Sequence, residues 1–398
     1  MSSILTQVRF SGLRTLADVT LDIGGLTVLI GDNGAGKTTL IEGLELLALA
    51  ASGNFQQGLF QVHGGPASLL RSGVLLIGLS ATVQTDENLV QYELIVSSDQ
   101  IVAENIHAHG LQGNEPPLTR ELVARGVSGE VTIGGQSAGR ASRWESVLSV
   151  PQFHAECFAL DALADVFKRF EFHPHFDTIS SRLALTLQRR APMRDFVPME
   201  PVAAMDRFGG NLVNAWHQLK NDSENWPRTF RLLRMGLGED LVDLRIHPVG
   251  GGHVVMQLKF GQFSEWLSHG SLSDGQLAFM AILAVVRLAN PASLVVFDEP
   301  DLHLHPQLQV SVVRLLEELA ANGTPVLVAT HADRMLDALS DPTEQAVLME
   351  LDARRATRLR RPNADVLRDW LVDYRGLGHL RSEGYEAHAF DHGPGSPA

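Results

Sequence analysis

Residues 28 to 42 read V-L-I-G-D-N-G-A-G-K-T-T-L-I-E, and this stretch decides the fold. It predicts a buried strand over Val28 to Ile30, a glycine-rich turn over Gly31 to Gly36 and a helix that starts at Lys37. A strand, a glycine-rich turn and a helix in this order are the context that a phosphate-binding loop requires. The alternative is a turn that binds nothing, and the agreement of strand, lysine, hydroxyl and helix favours the phosphate site.

Each fixed position of the spacing G-x-x-x-x-G-K-T has a physical purpose. Gly31, Gly34 and Gly36 tolerate positive φ, so successive N–H groups can point at one anion. The helix that follows adds the positive end of its dipole. Lys37 supplies a point charge for the terminal phosphates, and the Thr38 hydroxyl is a hard oxygen ligand for Mg²⁺. The loop therefore predicts a site for a nucleoside triphosphate with magnesium.

The composition is that of an ordinary globular protein, with 398 residues of which 44% are hydrophobic and 20% are charged. A formal charge of −14 argues against a protein coated in basic surface, and leaves a local basic groove open. The single cysteine, Cys157, is interpreted as a buried small hydrophobe. Because the N-terminus lacks a secretory signal and no apolar run is long enough to span a bilayer, we expect a soluble cytoplasmic protein.

The first part of the chain alternates between β and helical patterns. Residues 4–30 predict a β-rich entry, and the helix from Lys37 is expected to end near Ser52. An antiparallel meander is predicted from residue 74 to 106. Residues 107–150 predict loop, with a short strand at 130–133.

The second part is mostly helical before it returns to strands. Residues 155–240 predict helices, including a helical pair, without the sustained heptads of a long coiled coil. A β segment is predicted at 241–260, a buried strand at 294–297 and a helix at 307–321. The strand P-V-L-V-A-T follows and ends at His331. Strand, helix and strand in succession predict parallel pairing in an α/β sheet.

Three lobes and a tail are predicted from these patterns. They are an N-terminal lobe with the glycine-rich loop and the β meander over residues 1–106, an inserted loop and helical lobe without a long coiled coil over 107–260, a C-terminal lobe over 261–385, and a disordered tail over 386–398.

Polar residues follow two of the predicted strands. Asp298 at the end of its strand predicts a carboxylate that holds Mg²⁺, and Glu299 predicts the base that orients and deprotonates the attacking water. The alternative for this pair is an acidic strand end that caps the next segment. His331 predicts a hydrogen bond to the γ-phosphate, and its alternative is an ordinary polar group at a strand end.

A second candidate anion site opens an apolar helix in the stretch S-L-S-D-G-Q-L-A-F-M. Ser273, Asp274 and Gly275 place a hydroxyl, free N–H groups and a helix dipole at one point. The alternative is a plain helix cap with Ser273 as the capping residue.

Taken in order, these segments resemble the ATP-binding-cassette superfamily of ATPases. G-D-N-G-A-G-K-T corresponds to Walker A, L-S-D-G-Q to the signature, L-V-V-F-D-E-P-D to Walker B with the D-loop, and A-T-H to the switch histidine. Within the superfamily the chain resembles the RecF/SMC/OLD-like branch, the AbiEii/RecF-like group, through D-E-P-D-L-H-L-H-P, A-T-H-A-D and the C-terminal L-R-D-W-L-V-D-Y-R-G-L-G-H-L.

This resemblance implies an α/β P-loop NTPase fold of the ABC-ATPase type. It has a mixed central sheet, an antiparallel β subdomain, and a helical lobe inserted between Walker A and the signature. The resemblance also implies a homodimer in which two ATP molecules lie between Walker A of one subunit and the signature of the other.

The residues that this resemblance implies fall into three sets. The catalytic residues are Lys37, Glu299 and His331, and the metal ligands are Thr38 and Asp298. The ATP contacts are Gly31, Asp32, Asn33, Gly34, Ala35, Gly36, Lys37, Thr38, Thr39, Ser273, Gly275 and Gln276.

Two departures from the superfamily pattern stand out. Asp274 occupies a position where transporters have glycine. No Q-loop can be placed, and its candidates are Gln56, Gln57 and Gln61.

The cluster A-R-R-A-T-R-L-R-R, over 354–361, has two interpretations, as do Arg189, Arg190 and Arg194. These side chains contact nucleic-acid phosphates, or they form ion pairs on a solvated hairpin, which is the commoner arrangement. Arg14 is a further candidate for the nucleotide phosphates.

The favoured function is an ATP-hydrolysing dimeric switch that acts with DNA or with a nuclease or toxin partner, in DNA repair or phage defence. One alternative is the nucleotide-binding subunit of an ABC transporter. The other is a scaffold that binds ATP without hydrolysing it and assembles with an effector.

Overall fold

The protein is described here by a computed structural model. It describes residues 3–110, 119–288, 292–370, 376–384 and 390. The chain forms two compact units, and neither is one continuous stretch. The first unit comprises Met1–Glu171, Ala292–Val296 and Glu344–Pro362, and the second comprises Phe172–Pro291, Phe297–Thr343 and Asn363–Ala398.

The strands of the described residues are, in chain order, β1 (Ile4–Leu13), β2 (Leu16–Asp22), β3 (Leu26–Ile30), β4 (Leu76–Gln84), β5 (Asn88–Ser97), β6 (Ile101–Gly110), β7 (Thr119–Arg125), β8 (Glu130–Ile133), β9 (Gln136–Arg140), β10 (Phe170–His173), β11 (Val197–Pro198), β12 (Leu241–Gly250), β13 (His253–Phe260), β14 (Leu267–Ser268), β15 (Leu294–Asp298), β16 (Val326–Ala329), β17 (Ala346–Leu351) and β18 (Thr357–Arg360).

The helices are α1 (Lys37–Ser52), α2 (Phe55–Gln61), α3 (Pro66–Leu69), α4 (Pro151–His154), α5 (Phe158–Lys168), α6 (Ser181–Thr186), α7 (Leu212–Asn221), α8 (Trp226–Leu237), α9 (Asp274–Arg287), α10 (Pro306–Ala321), α11 (Asp333–Asp337), α12 (Pro342–Gln345), α13 (Ala364–Trp370) and α14 (Leu377–Ser382), with 3₁₀ turns at Val147–Ser149 and His269–Ser271.

The first unit contains an eight-stranded antiparallel sheet in the order β2-β1-β4-β5-β6-β7-β8-β9. Along β4, buried and more exposed residues alternate, as expected of a sheet with one face on the core. The predicted β-rich entry, the meander and the strand at 130–133 are confirmed. The sheet is the predicted antiparallel β subdomain.

The prediction of loop for the rest of residues 107–150 is wrong, because β7 and β9 extend the sheet on either side of β8. Neither T-R-E-L-V-A-R nor Q-S-A-G-R has the apolar alternation that marks a strand. Pairing with neighbouring strands decides their conformation, which is why local pattern missed them. Residues 111–118 lie outside the described residues.

The phosphate-loop strand β3 lies in the first unit beside β17. The two are parallel, with Val28 opposite Ala346 and Ile30 opposite Leu348, and β18 pairs antiparallel with β17. All five residues of β3 are buried, as is typical of strands in parallel sheets. As predicted, α1 starts at Lys37 and ends at Ser52, where Gly53 caps it with φ of 78°.

A buried polar network ties the antiparallel sheet to the turn at Val147–Ser149. The Glu104 carboxylate accepts hydrogen bonds from the Tyr92 hydroxyl at 2.7 Å, from Ser146 Oγ at 2.5 Å and from Val147 N at 2.9 Å. Arg125 Nη1 lies 3.4 Å from the same carboxylate. Burial raises the pKa of the Glu104 carboxyl and the pKa of the Tyr92 phenol. The network therefore fixes three strands against one turn.

The second unit packs helices beside a small antiparallel sheet. β13 pairs with β12 on one edge and with β11 and β14 on the other. The predicted β segment at 241–260 and the predicted helical pair, α7 and α8, are confirmed. The longest helices of the described residues, α1 and α10, have 16 residues each. The expectation of no long coiled coil therefore holds in that part of the chain.

Three further sequence predictions concern burial, the tail and domain boundaries. Cys157 is buried, as interpreted, and burial raises the pKa of its thiol. No helix in the described part of the chain is both long and apolar enough to cross a membrane. The predicted tail, 386–398, lies outside the described residues except for Phe390, which is buried. The boundaries at 106, 260 and 385 stay predictions.

Replacing Tyr92 with phenylalanine tests the buried network. The variant keeps the ring and removes the hydroxyl donor to Glu104, so we expect the free energy of unfolding in urea to fall by about 1–2 kcal/mol. Glu93→Gln on the opposite face of β5 is the control and is expected to change that free energy by less than about 0.5 kcal/mol. Equal stability of Tyr92→Phe and the unmodified protein would show that the network does not stabilise the sheet.

Candidate nucleotide site

The glycine-rich loop lies between β3 and α1 in the first unit, and two of its glycines are required by close backbone approach. A Cβ at Gly31, where φ is 149°, would lie 2.2 Å from the Met349 carbonyl oxygen. A Cβ at Gly36, where φ is 109°, would lie 2.6 Å from Thr357 Oγ1 and 2.7 Å from Thr15 Oγ1. Any other residue at these positions would force the loop away from its neighbours.

The Lys37 side chain folds back and closes the glycine-rich loop by binding the carbonyls at its start. Its ammonium donates to the carbonyl oxygens of Gly31 at 2.7 Å and of Asp32 at 3.3 Å, and the residue is 6% exposed. Ala35 N donates to Asp32 O at 3.1 Å, which makes the turn. The positive charge therefore sits within the curve of the loop, while the tip from Asp32 to Gly34 is exposed.

A hydroxyl from the far end of the sequence holds the loop. Thr357 Oγ1, on β18, donates to the Ala35 carbonyl oxygen at 2.8 Å and lies 2.9 Å from Thr15 Oγ1. Thr357 N also donates to Thr15 O at 2.9 Å. The carbonyl of Ala35 is thus satisfied by a side chain.

The first turns of α1 carry the remaining predicted residues of the loop. Thr38 is exposed and Thr39 is 7% exposed. One turn further, Glu42 forms an ion pair with Arg14, with Oε2 and Nη1 2.9 Å apart. Arg14 Nε also donates to Ser68 O at 3.2 Å. The candidate phosphate contact of Arg14 stays a prediction, and its observed partner is Glu42.

In the second unit, Glu299 follows β15 in a strained conformation. Its φ is 53°, the left-handed region, which costs a residue with a side chain about 1–2 kcal/mol. Glu299 N donates to Ala329 O at 2.8 Å, which fixes the backbone there. The carboxylate is 47% exposed, and its Oε1 lies 3.7 Å from His331 Nε2. Two residues predicted to be catalytic are therefore brought together.

The segment around His331 is held from both sides. Fully buried Thr330 donates through Oγ1 to Asp301 Oδ1 at 2.5 Å and accepts from Ala332 N at 3.0 Å. Arg381 Nη1 donates to the His331 carbonyl oxygen at 3.1 Å. Asp301 belongs to the predicted D-loop, so the D-loop and the switch-histidine segment are joined by one hydrogen bond.

The predicted signature begins α9 with a complete capping box. Ser273 Oγ accepts from Gln276 N at 3.2 Å, and the Gln276 side chain accepts from Ser273 N at 3.0 Å. The plain-cap interpretation of Ser273 is therefore confirmed as a structural fact, alongside any phosphate role. A Cβ at Gly275 would lie 2.5 Å from the His303 carbonyl oxygen, so this glycine also has a packing reason.

The predicted site residues thus divide between the units. The loop from Gly31 to Thr39 lies in the first unit, and the second unit holds Asp298, Glu299, His331 and the signature. The Q-loop candidates lie on or beside α2, where Gln57 Nε2 donates to Gln61 Oε1 at 3.1 Å on an exposed face.

The basic cluster is the β17–β18 hairpin with ion pairs, as the commoner interpretation predicts. Arg358 Nη2 lies 3.3 Å from Asp352 Oδ2, and Arg360 Nε lies 3.5 Å from Glu350 Oε2. The three other candidate arginines are also paired, Arg189 with Asp177, Arg190 with Asp195 and Arg194 with Asp274.

Sequence reasoning missed several residues that shape the site, among them Thr15, Thr357, Asp301 and Arg381. Thr330 lies in the predicted switch-histidine motif, and Asp301 lies in the predicted D-loop. Their polar side chains were the signal that could have indicated a hydrogen bond between the two motifs. Thr357 and Arg381 lie in stretches whose local pattern carries no sign of the loop or of His331. Their roles depend on folding, and one sequence gives no means to find them.

Comparison with known proteins gives relatives that match short segments. The chain is 36% identical over 75 residues to the Old nuclease of Escherichia phage P2, and the match covers 18% of this chain and 13% of the relative. It is 33% identical over 97 residues to protein ea59 of Escherichia phage lambda, and this match covers 24% of this chain and 18% of the relative. The chain thus matches less than a fifth of the length of these curated relatives.

A solved structure matches nearly the whole fold. The Smc head domain with an extended coiled coil, bound to the C-terminal domain of ScpA from Pyrococcus furiosus, has a TM-score of 0.51 and 13% identity. The match covers 94% of this chain and 99% of that one. The predicted α/β P-loop ATPase fold is therefore confirmed.

One family model matches residues 26–106 and 210–337, more than half of the chain. The matched segments contain the glycine-rich loop, the signature, Asp298, Glu299 and His331. With the phage nuclease relative and the Smc head fold, this match confirms the predicted RecF/SMC/OLD-like resemblance. The chain therefore belongs to the family described as "AAA domain, putative AbiEii toxin, Type IV TA system".

Proposed function

We propose that this protein is an ATP-binding and ATP-hydrolysing switch that forms a homodimer around two nucleotides and acts with DNA or with a nuclease or toxin partner. The observation that carries the proposal is the pairing of Glu299 with His331 in a chain whose Lys37 closes a phosphate-type loop. A loop alone supports binding, whereas an exposed carboxylate beside a histidine supports turnover.

Nucleotide binding is supported by the shape and charge of the loop. The Gly36 backbone lies where any Cβ would collide with two hydroxyls, so glycine is required for this curve, and curved loops of this kind suit an anion. Lys37 supplies the positive charge, and α1 directs the positive end of its dipole at the same place. The proposed contacts are the loop from Gly31 to Thr39, with Ser273, Gly275 and Gln276.

Magnesium fits the oxygen donors of the proposed site. The Thr38 hydroxyl is exposed in the first turn of α1, and Asp298 is partly exposed at the end of β15. Both are the hard oxygen ligands that Mg²⁺ prefers, and they are the residues that would hold it. The bound ion would neutralise charge on the phosphates.

Hydrolysis requires a base for the attacking water, and Glu299 is the proposed base. It accepts a proton from water while the water oxygen bonds to the γ-phosphorus, and the bond to the leaving ADP oxygen breaks. The bond to Ala329 fixes the backbone of Glu299, and the exposure of its side chain supports access of water and substrate. His331, 3.7 Å away, is the proposed donor to the γ-phosphate.

Dimerisation is proposed through the start of α9. Ser273 is exposed at the start of α9, where the first amides of a helix suit an anion. The glycine-rich loop is closed by its own Lys37. In the proposed dimer, Ser273 and Gly275 contact the γ-phosphate held by the other copy.

The partner is the least constrained part of the proposal. One relative is a nuclease by name, and the family description names a toxin. The net charge of −14 and the ion pairs of the hairpin arginines argue against a broad basic face, so the DNA contact is proposed as a local one. DNA repair and phage defence are the proposed settings.

The role of Thr357 in nucleotide binding is tested with valine at that position. The change leaves the Ala35 carbonyl without its donor, so binding must first restore the loop, and we expect the Kd for ATP to rise about tenfold. Thr357→Ser keeps the hydroxyl and is expected to bind like the unmodified protein. Equal ATP affinity for the valine and serine variants would contradict this role.

Replacing Glu299 with glutamine tests the base. We expect ATP turnover to fall at least about 100-fold while ATP affinity is kept, and the ATP-bound dimer to accumulate in light scattering. Glu239→Gln is a control, since Glu239 is an exposed carboxylate of the same unit paired with Arg234. Normal turnover by Glu299→Gln would rule out this assignment of the base.

ATPase rates with double-stranded and single-stranded DNA test the partner. We expect at least one form to raise turnover, and the increase to fade as salt rises, because phosphate contacts release counterions. Unchanged rates and no DNA binding at low salt would remove DNA from the proposal and leave a protein effector.

A further inference from the structure

The Arg194 side chain contacts residues 270–274, the segment that leads into α9 and that we call the signature loop. Its Nε donates to Thr178 O at 3.0 Å, and its Nη1 donates to Gly270 O at 2.8 Å and to Leu272 O at 2.7 Å. Its Nη2 donates to Asp274 Oδ1 at 2.5 Å. The Arg194 side chain is 7% exposed, so a buried charge meets the Thr178 carbonyl and, just before and in the first turn of α9, two carbonyls and one carboxylate.

The backbone that carries this arginine is itself fixed. Arg194 N donates to Ala191 O at 2.8 Å, and Ala191 N donates to Asp195 Oδ2 at 3.1 Å, so residues 191–195 form a closed turn. A Cβ at Gly270 would lie 3.1 Å from the Arg194 carbonyl oxygen. The turn and the signature loop therefore touch through backbone as well as through the side chain.

Only arginine suits this position. Its planar group directs several N–H donors at fixed angles, whereas lysine is a compact charge with three donors on a flexible stem. Asp274 contributes twice, because it pairs with Arg194 and also places a negative charge in the first turn of α9. The observed pair gives a physical reason for aspartate where transporter signatures have glycine.

We propose that Arg194 is a positioning residue of the signature: it holds Gly270 to Asp274 so that Ser273 and the first amides of α9 face the nucleotide of a second copy. The inference rests on the proposed dimer and says which side chain holds its signature in position. It also means that the segment from Thr178 to Asp195 influences pairing of the subunits through the signature.

Arg194→Lys and Asp274→Asn test the proposal, with Arg228→Lys as the matched control. Arg228 is an exposed arginine of the same unit, paired with Glu318 at 3.0 Å. In both test variants we expect faster hydrogen–deuterium exchange of the amides at 270–277, an ATP Kd within about twofold of the unmodified protein, and kcat lower by about tenfold or more. The control is expected to match the unmodified protein in all three. The reverse pattern in Arg194→Lys, weaker ATP binding with normal kcat, would overturn the proposal.

Mixing of variants separates this role from general damage. Lys37→Ala has an intact signature, and Arg194→Lys has an intact loop, so a mixed dimer contains one complete site. An equal mixture of the two is expected to recover up to about a quarter of normal turnover, because half of the dimers are mixed and each has one working site of two. Ser273→Glu mixed with Lys37→Ala is the reference pair.

The outcomes distinguish this inference from the proposed function. Recovery by the Ser273 pair without recovery by the Arg194 pair would overturn the role of Arg194 and leave the dimer standing. Failure of both pairs would count against the dimer itself and would overturn the inference with it. Unchanged exchange at 270–277 in Arg194→Lys would overturn the role of Arg194 whatever the mixtures show.

Discussion

The close approach of the Gly36 backbone to the hydroxyls of Thr15 and Thr357 is the constraint on which the first unit depends. It joins the turn between β1 and β2, the glycine-rich loop and the C-terminal hairpin at one point. The bond from Thr357 to Ala35 satisfies a carbonyl of the loop, and the bond from Lys37 to Gly31 places a positive charge within its curve. A loop that is shaped before it meets an anion loses little freedom on binding.

In the second unit, the segments around Glu299 and His331 are likewise held by hydrogen bonds to their neighbours. Glu299 has a strained backbone that the bond to Ala329 maintains, and Thr330 ties its neighbouring segment to Asp301. Strain of this kind persists only where surrounding contacts determine it. The backbone of Glu299 is thus fixed, and its side chain starts from a defined position.

Local sequence predicted the parts of the fold that local physics determines. The bounds of α1 follow from a glycine at each end, and the cap of α9 follows from Ser273 and Gln276 three residues apart. β7 and β9 were missed because their strand character comes from their neighbours. For Arg194 the sequence favoured an ion pair over a phosphate contact, and the structure confirms the pair, but its partner Asp274 lies eighty positions away and local pattern could not name it.

The bond between Thr357 and Ala35 has a consequence for the newly made chain. The two residues are 322 positions apart, so the hydroxyl that shapes the loop is synthesised last among its contacts. At usual rates of translation this interval is on the order of half a minute. During that time the nascent loop has its lysine and glycines but lacks the partner that holds Ala35. The loop therefore takes its final shape only after Thr357 has left the ribosome.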